Sequence, residues 1–315
     1  MAEDRLPSYG GQALMEGVLM RGTKTVAAAF RTPEGNIEVV QEELQGIYKS
    51  RIRNIPFLRG LIVLWDALVL GTRFLTLSAN YQTGEDEKIE GTTLVITLGF
   101  SLLIAVGIFF VLPASLGQLV ELSLGWNSWW SNLLEGFIRL FLLIGYLWII
   151  GKLADIARVF AYHGAEHKTI NAFEAGEKLT PQNVRKYSLE HARCGTGFLL
   201  SVAVISILVF TLLGPLPTVW RLLTRVLFIP VIAGLAYEYM RWTAAHLNNV
   251  LVAILVRPNL MLQKLSTREP DDNMLEVAIA AFNAMYEREK EYLSQGELKL
   301  PEFATREPAV LEDYQ

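Results

Sequence analysis

Two stretches of this chain, 94–120 and 197–220, carry no charged residue, and each exceeds the roughly 20 apolar residues a helix needs to cross a bilayer. Such runs leave few folds open. In hydrocarbon every backbone polar group must be bonded within the protein, which selects helices for segments of this length. Residues 136–151, interrupted by Arg139, and 222–237, interrupted by Arg225 and the kink-prone Pro230, extend the pattern. A long cationic side chain can reach an interface, so neither arginine excludes a crossing. One such block reads as a buried core helix; four together do not. The expected fold class is mainly α, a polytopic helical membrane protein of about four spans with a small β-containing N-terminal element. A hydrophobic content of 52% agrees.

Two segments read differently. Residues 56–79 are apolar but hold Arg59, Asp66 and Arg73, which fits an interfacial amphipathic helix better than a span. Residues 243–256 are uncharged but short for a crossing, which suggests a re-entrant or interfacial helix, with Asn248 and Asn249 bonding between helices and His246 a hydrogen-bonded helix residue.

Basic residues set the expected orientation. Lys152, Arg158, Lys168, Lys178, Arg185, Lys186 and Arg193 crowd the loop between the second and third spans in chain order, whereas the first loop, about 117–135, has no lysine or arginine. Its Trp126, Trp129 and Trp130 suit an outer aromatic belt. The N-terminal region is basic at Lys49, Arg51, Arg53 and Arg59. Both termini and the loop 152–196 are therefore expected in the cytoplasm of a multi-pass protein of the cell inner membrane, with the first span as its own targeting signal. The single Cys194 excludes an intrachain disulfide, and a net charge of −4 argues against nucleic acid as a partner.

Along the chain, residues 1–50 read as a cytoplasmic β-containing segment. Within it VAAAF, TPEGN and IEVV form a hairpin turning on Pro33 to Asn36. Residues 51–93 hold the amphipathic helix and an acidic linker (83–91). Residues 94–257 form the transmembrane domain with the cytoplasmic histidine loop, and 258–315 a cytoplasmic amphipathic helix and tail. Residues 136 to about 175 are expected as one helix leaving the membrane. Thr180 with Pro181 opens a second helix that ends near His191.

The chemistry lies in that loop. His163, Glu166 and His167 stand as H-x-x-E-H, the inverted zinc-hydrolase pattern. On a helix a spacing of four puts both imidazoles on one face, where they can grip one metal. Glu166 lies one turn from His163, placed to act as the catalytic base toward water. A metal needs a third ligand. His191 and Cys194 form an H-x-x-C pair, and both can bind zinc. Glu238, about seventy residues on, is another candidate. Taken alone, Cys194 reads first as a packed thiol, and Glu238 as readily as an ion-pair partner of Arg241. The glycine-rich GGQALMEGVLMRG (10–22) holds Glu16 and Arg21 where backbone can approach a partner closely.

GGQALMEGVLMRG, YHGAEHKTINAFE and LEHARCGTGF together resemble the YqhQ-like family of bacterial membrane proteins, over nearly the whole chain from Gly10 to about Tyr286. The resemblance implies a family of unknown function, commonly labelled a predicted metal-dependent enzyme. It carries over His163, Glu166, His167 and His191 as metal-site residues, and Glu16 in the N-terminal motif.

The leading expectation is a hydrolase at the membrane surface. Its cofactor is a divalent transition metal, zinc by donor type, bound by His163 and His167 with His191 or Glu238 third. Its partners are the lipid bilayer and a membrane-proximal substrate. The alternative is a non-enzymatic membrane scaffold or assembly factor with a structural histidine loop, contacting a membrane-protein partner through Gly10 to Gly22. Transport ranks last, since only Arg139 and Arg225 are charged within the spans.

Overall fold

The computed structural model describes residues 9–44, 55–83, 91–214 and 216–295. The acidic linker beyond residue 83, the basic Lys49, Arg51 and Arg53, and the tail beyond residue 295 lie outside the described residues.

The N-terminal unit is an antiparallel meander of β1 (Gly10–Leu14), β2 (Gly17–Arg21), β3 (Thr25–Arg31) and β4 (Ile37–Glu43) in sequence order. Leu14 pairs with Gly17 across a tight turn in which Glu16 takes a left-handed φ of 50°. The second expected turn forms where TPEGN stands, with Gly35 at φ 91° and Arg31 paired to Ile37.

Strand alternation sends Val18, Met20, Ala27 and Ala29 to one face and Leu19, Val26, Ala28 and Phe30 to the other, and both faces are covered. The first face packs on α6 (Ala154–Glu174) and α12 (Asp272–Ser294), the second on α2 (Gly71–Thr83) through Phe74. Helix α2 follows α1 (Leu58–Trp65) and a π-helical turn at Asp66–Leu70, so the amphipathic segment is helical as expected.

The remaining helices form an apolar bundle. Helix α3 (Gly91–Val106), a π-helical turn at Gly107–Val111 and α4 (Leu112–Leu124) make one run of 34 residues. Beyond it come α5 (Ser128–Ile150), α8 (Gly195–Leu212), α9 (Thr218–Leu227), α10 (Ile229–Ala245) and α11 (Val250–Ser266). Among the described residues, three helices are long and apolar enough to cross a membrane, or four if α9 and α10, bent by 46°, count as one. Helix α3 buries none of its residues, and Val95, Ile96, Phe100 and Leu103 stand exposed on it. The chain is thus mainly helical with a small N-terminal sheet.

Three expectations are corrected. Residues 136–175 are two helices, because the chain turns at Gly151–Leu153 between α5 and α6. A Cβ at Gly151 would lie 3.2 Å from both Phe160 and Arg268, so the turn is packed into tertiary contacts. Thr180 does cap a helix, but α7 (Pro181–Val184) is one turn long and residues 185–193 are turns and irregular loop. Residues 243–256 are no separate element: Asn249 caps α11, which runs through Pro258 to Ser266.

Candidate metal centre

Helix α6 carries two functional faces. Arg158, Tyr162 and Glu166, spaced by four, look toward the β1–β2 hairpin. Glu16 receives Arg158 Nε at 2.6 Å and Tyr162 Oη at 3.2 Å. The Glu166 carboxyl lies against Gly11, where a Cβ would come within 3.0 Å of its Cδ, and the Gly11 N–H bonds to it. The glycine-rich N-terminal motif and the H-x-x-E-H motif, far apart in the chain, therefore meet.

His163 and His167 occupy the neighbouring face. His163 Nδ1 is 2.8 Å from the carbonyl of Ser266 at the end of α11, and His167 Nδ1 bonds the carbonyl of Leu189. A carbonyl only accepts, so Nδ1 of each ring must hold a proton, leaving both Nε2 lone pairs free to bind a cation. His167 Nε2 is buried with no partner among the described residues. His163 Nε2 is 3.2 Å from Cys194 Sγ. Cys194 is the N-cap of α8, its sulfur accepting from Thr196 N at 3.4 Å, and the positive end of that 18-residue helix favours negative charge there.

The ligand atoms of His163, His167 and Cys194 all lie within 4.8 Å of one another. A tetrahedral zinc with ordinary Zn–N and Zn–S bonds sets its ligands about 3.3–3.7 Å apart, so a small rotamer adjustment closes the set. An orphaned imidazole nitrogen beside a thiol at a helix N-terminus fits a soft divalent metal. Three protein ligands leave one position open.

Glu166 is 5% exposed and its Oε2 has no partner among the described residues. Burial pushes its carboxyl up to about 7, against the opposing pull of His163 and the Gly11 N–H. That is the range in which a carboxylate serves as a base at neutral pH.

The loop that supplies Cys194 is held by α6 itself. Lys168 Nζ donates to the Arg185 carbonyl, and Asn171 Nδ2 donates to the carbonyls of Ser188 and Glu190. Gln263 of α11 clamps the backbone of His191 from both sides, at 3.0 and 2.9 Å.

Residues 55–288 match the family model described as "Protein of unknown function (DUF1385)". The chain belongs to this family. The Bacillus subtilis (strain 168) protein named "Uncharacterized protein YqhQ" is 33% identical over 294 residues, which cover 89% of this chain and 92% of that protein. The resemblance read from the motifs thus holds, and no solved structure matches the chain.

Two residues expected in this family member's site stand outside the ligand group. The His191 ring centroid is 5.6 Å from that of His167, but its Nε2 turns toward Glu174, 3.9 Å from Oε2. Burial, then the charge of Arg193, pushes it down to about 3, so the ring is neutral. Glu238 on α10 is spent on α1: it accepts from Arg59 Nε at 2.6 Å and from the Phe57 N–H at 3.1 Å. Cys194, the other member of the H-x-x-C pair, is the residue that groups with His163 and His167. Sequence reasoning also missed the Ser266 and Leu189 carbonyls, which no side-chain pattern can signal. Gly164 did leave a trace, as a glycine inside a helical motif: a Cβ there would meet the Arg268 carbonyl at 2.1 Å.

Proposed function

We propose that this protein is a multi-pass inner-membrane hydrolase with a cytoplasmic-face metal site, in which His163, His167 and Cys194 are the ligands and Glu166 is the catalytic base. The observation that carries the reading is the pair of inward Nε2 atoms, one of them a buried orphan, converging with Cys194 Sγ; the Glu166 carboxyl, on the adjoining face of α6, is buried and within electrostatic reach of His163. Two histidines and one thiolate suit zinc. Bound by these residues, such an ion would supply Lewis acidity and a water of lowered pKa.

The residues of this chain do the rest. Glu166 Oε2 accepts a proton from the attacking water and returns it to the leaving group, and its burial keeps it near neutrality rather than in the ordinary carboxylate range. The Gly11 N–H fixes the carboxyl, and the Glu16 pair with Arg158 fixes the hairpin that presents Gly11. The Leu189 and Ser266 carbonyls hold both rings in the ligating tautomer.

The uncovered apolar surface of α3 and the basic loop of α6 support a bilayer setting with both termini in the cytoplasm. The substrate is membrane-proximal, a peptide or a lipid-linked compound. The segment from Gly10 to Gly22 is engaged within the chain by α6 and α12, which supports this reading over a scaffold that offers it to a partner.

The test is hydrolysis in labelled water. Purified protein is incubated with a membrane extract in H₂¹⁸O, and products are read by mass spectrometry. Wild type should yield chelator-sensitive ¹⁸O-labelled products, and Glu166→Gln none, while both hold about one equivalent of metal. Bound metal without labelled products in wild type would make the site structural.

A further inference from the structure

A second polar centre lies at the other end of α8 from Cys194. Glu135 of α5 is buried and receives Arg139 Nη2 at 2.9 Å, Arg225 Nε at 2.8 Å and Arg225 Nη2 at 2.7 Å. Arg221, on the same face of α9 as Arg225, reaches Glu121 of α4 with Nη1 at 2.7 Å and Ser131 Oγ with Nη2 at 2.7 Å. Three buried guanidiniums thus share two carboxylates, leaving one positive charge over in an apolar bundle. An uncompensated buried charge is costly, and charged groups at such depth mark function by default.

The donors are not equally used. Every nitrogen of Arg139 has a partner, in Glu135, Ser206 Oγ or the Phe109 carbonyl of the π-helical turn, and every nitrogen of Arg225 has one in Glu135, Asn132 or Thr224 Oγ1. Arg221 Nε alone among these nitrogens is buried without a partner among the described residues. Arg221 also sits in the first turn of α9, whose N-cap, Pro217, gives no side-chain hydrogen bond, so the free N–H groups of that end add to the anion-attracting field.

Glu121 lies in the last turn of α4, where the negative helix end opposes it. It accepts from Ser128 Oγ at 2.5 Å as well as from Arg221, and at 25% exposure its side chain is the most exposed charged member of the network, at the rim beside Gln118 and Thr218.

We propose that this rim is a binding site for a phosphate-bearing anion, which bonds Arg221 and the N-terminus of α9 in exchange for Glu121. The site is independent of the metal centre. Exposed Trp126, Trp129, Trp130 and Trp220 flank it, the placement of aromatic rings at headgroup level. An anionic phospholipid is thus one source of the phosphate, and a soluble phosphate the other.

The full chain is placed in detergent with equal amounts of phosphatidylglycerol and phosphatidylcholine, and retained lipid is read by native mass spectrometry. In parallel, thermal unfolding is followed against inorganic phosphate without anionic lipid. For a lipid ligand, phosphatidylglycerol should be retained about fivefold over phosphatidylcholine, the gain expected from roughly one well-placed cation. Arg221→Gln should abolish the preference and Glu121→Gln should raise it, so a variant with the opposite sign remains if Arg221→Gln does not fold. A phosphate-dependent rise in unfolding temperature with no lipid preference would assign the site to soluble phosphate. Neither effect in wild type, or a Glu121→Gln variant that binds no more than wild type, would overturn the proposal.

Discussion

At the scale of single residues, the centre depends on which nitrogen of each ring is free. Backbone carbonyls of Ser266 and Leu189 decide that for His163 and His167, and Cys194 meets His163 from 31 residues away. The H-x-x-E-H spacing was legible because two imidazoles and a carboxylate follow from helical periodicity alone. The third candidate was legible only in part. The H-x-x-C pair offers Cys194 beside His191, but a lone cysteine next to an apolar run reads first as a packed thiol, and only the fold shows that its sulfur faces an imidazole. The consequence is a ranking. Cys194→Ser should weaken metal binding by about a hundredfold or more, at least the loss seen when a metal site's supporting contacts are removed. His191→Ala should change it by less than about threefold, since its ring faces Glu174. Competitive titration against a chromophoric chelator measures both. Equal losses would return His191 to the ligand set.

At the scale of elements, the β3–β4 hairpin and the capped C-terminal helix were readable, since each is set by local signals: TPEGN between two apolar runs, and Asp272 at the start of an amphipathic period. The predicted helix from Thr180 to His191 failed for a reason outside its own sequence. Lys168 of α6 takes the Arg185 carbonyl, which such a helix would have bonded to the Leu189 N–H, and His167 and Asn171 hold the carbonyls of Ser188, Leu189 and Glu190 in place as a loop. The break at Gly151 was hidden in the same way, as its cause is a contact with Arg268 and Phe160. Close approach also governs where α6 meets the strap after α11. Arg268 donates its N–H to the Phe160 carbonyl, and Gly164 admits the strap's backbone. Gly164→Ala should therefore cost about 1–3 kcal/mol through overpacking against backbone that cannot move aside. Gly145→Ala in α5, where a Cβ meets nothing within 4 Å, should be neutral or slightly stabilising. Unfolding midpoints in detergent compare the two. Equal shifts would show that the strap yields.

At the scale of the whole molecule, the residues proposed as metal ligands and the one proposed as base belong to different supports. His163, His167 and Cys194 sit on α6 and α8, whose placement comes from the bundle and from α11. Glu166 is dressed by β1, and the sheet is held by α12 from the far end of the chain. Buried Glu289 accepts the N–H groups of Lys24 and Thr25 at 2.6 and 3.0 Å and the Thr25 hydroxyl at 3.1 Å, across 264 residues from Thr25. No sequence pattern announces that clasp, because neither partner has a local motif; only the amphipathic face of α12 hinted that it covers something. Removing the acceptor strands two buried donors, which costs roughly 1–3 kcal/mol for each group left unpaired. Glu289→Ala should accordingly loosen the sheet without emptying the helices. Amide exchange should quicken in β3, turnover should fall because Gly11 no longer fixes Glu166, and metal content should stay at the wild-type value. Loss of metal together with sheet protection would mean that the sheet supports the ligands as well, and that bundle and sheet unfold as one unit.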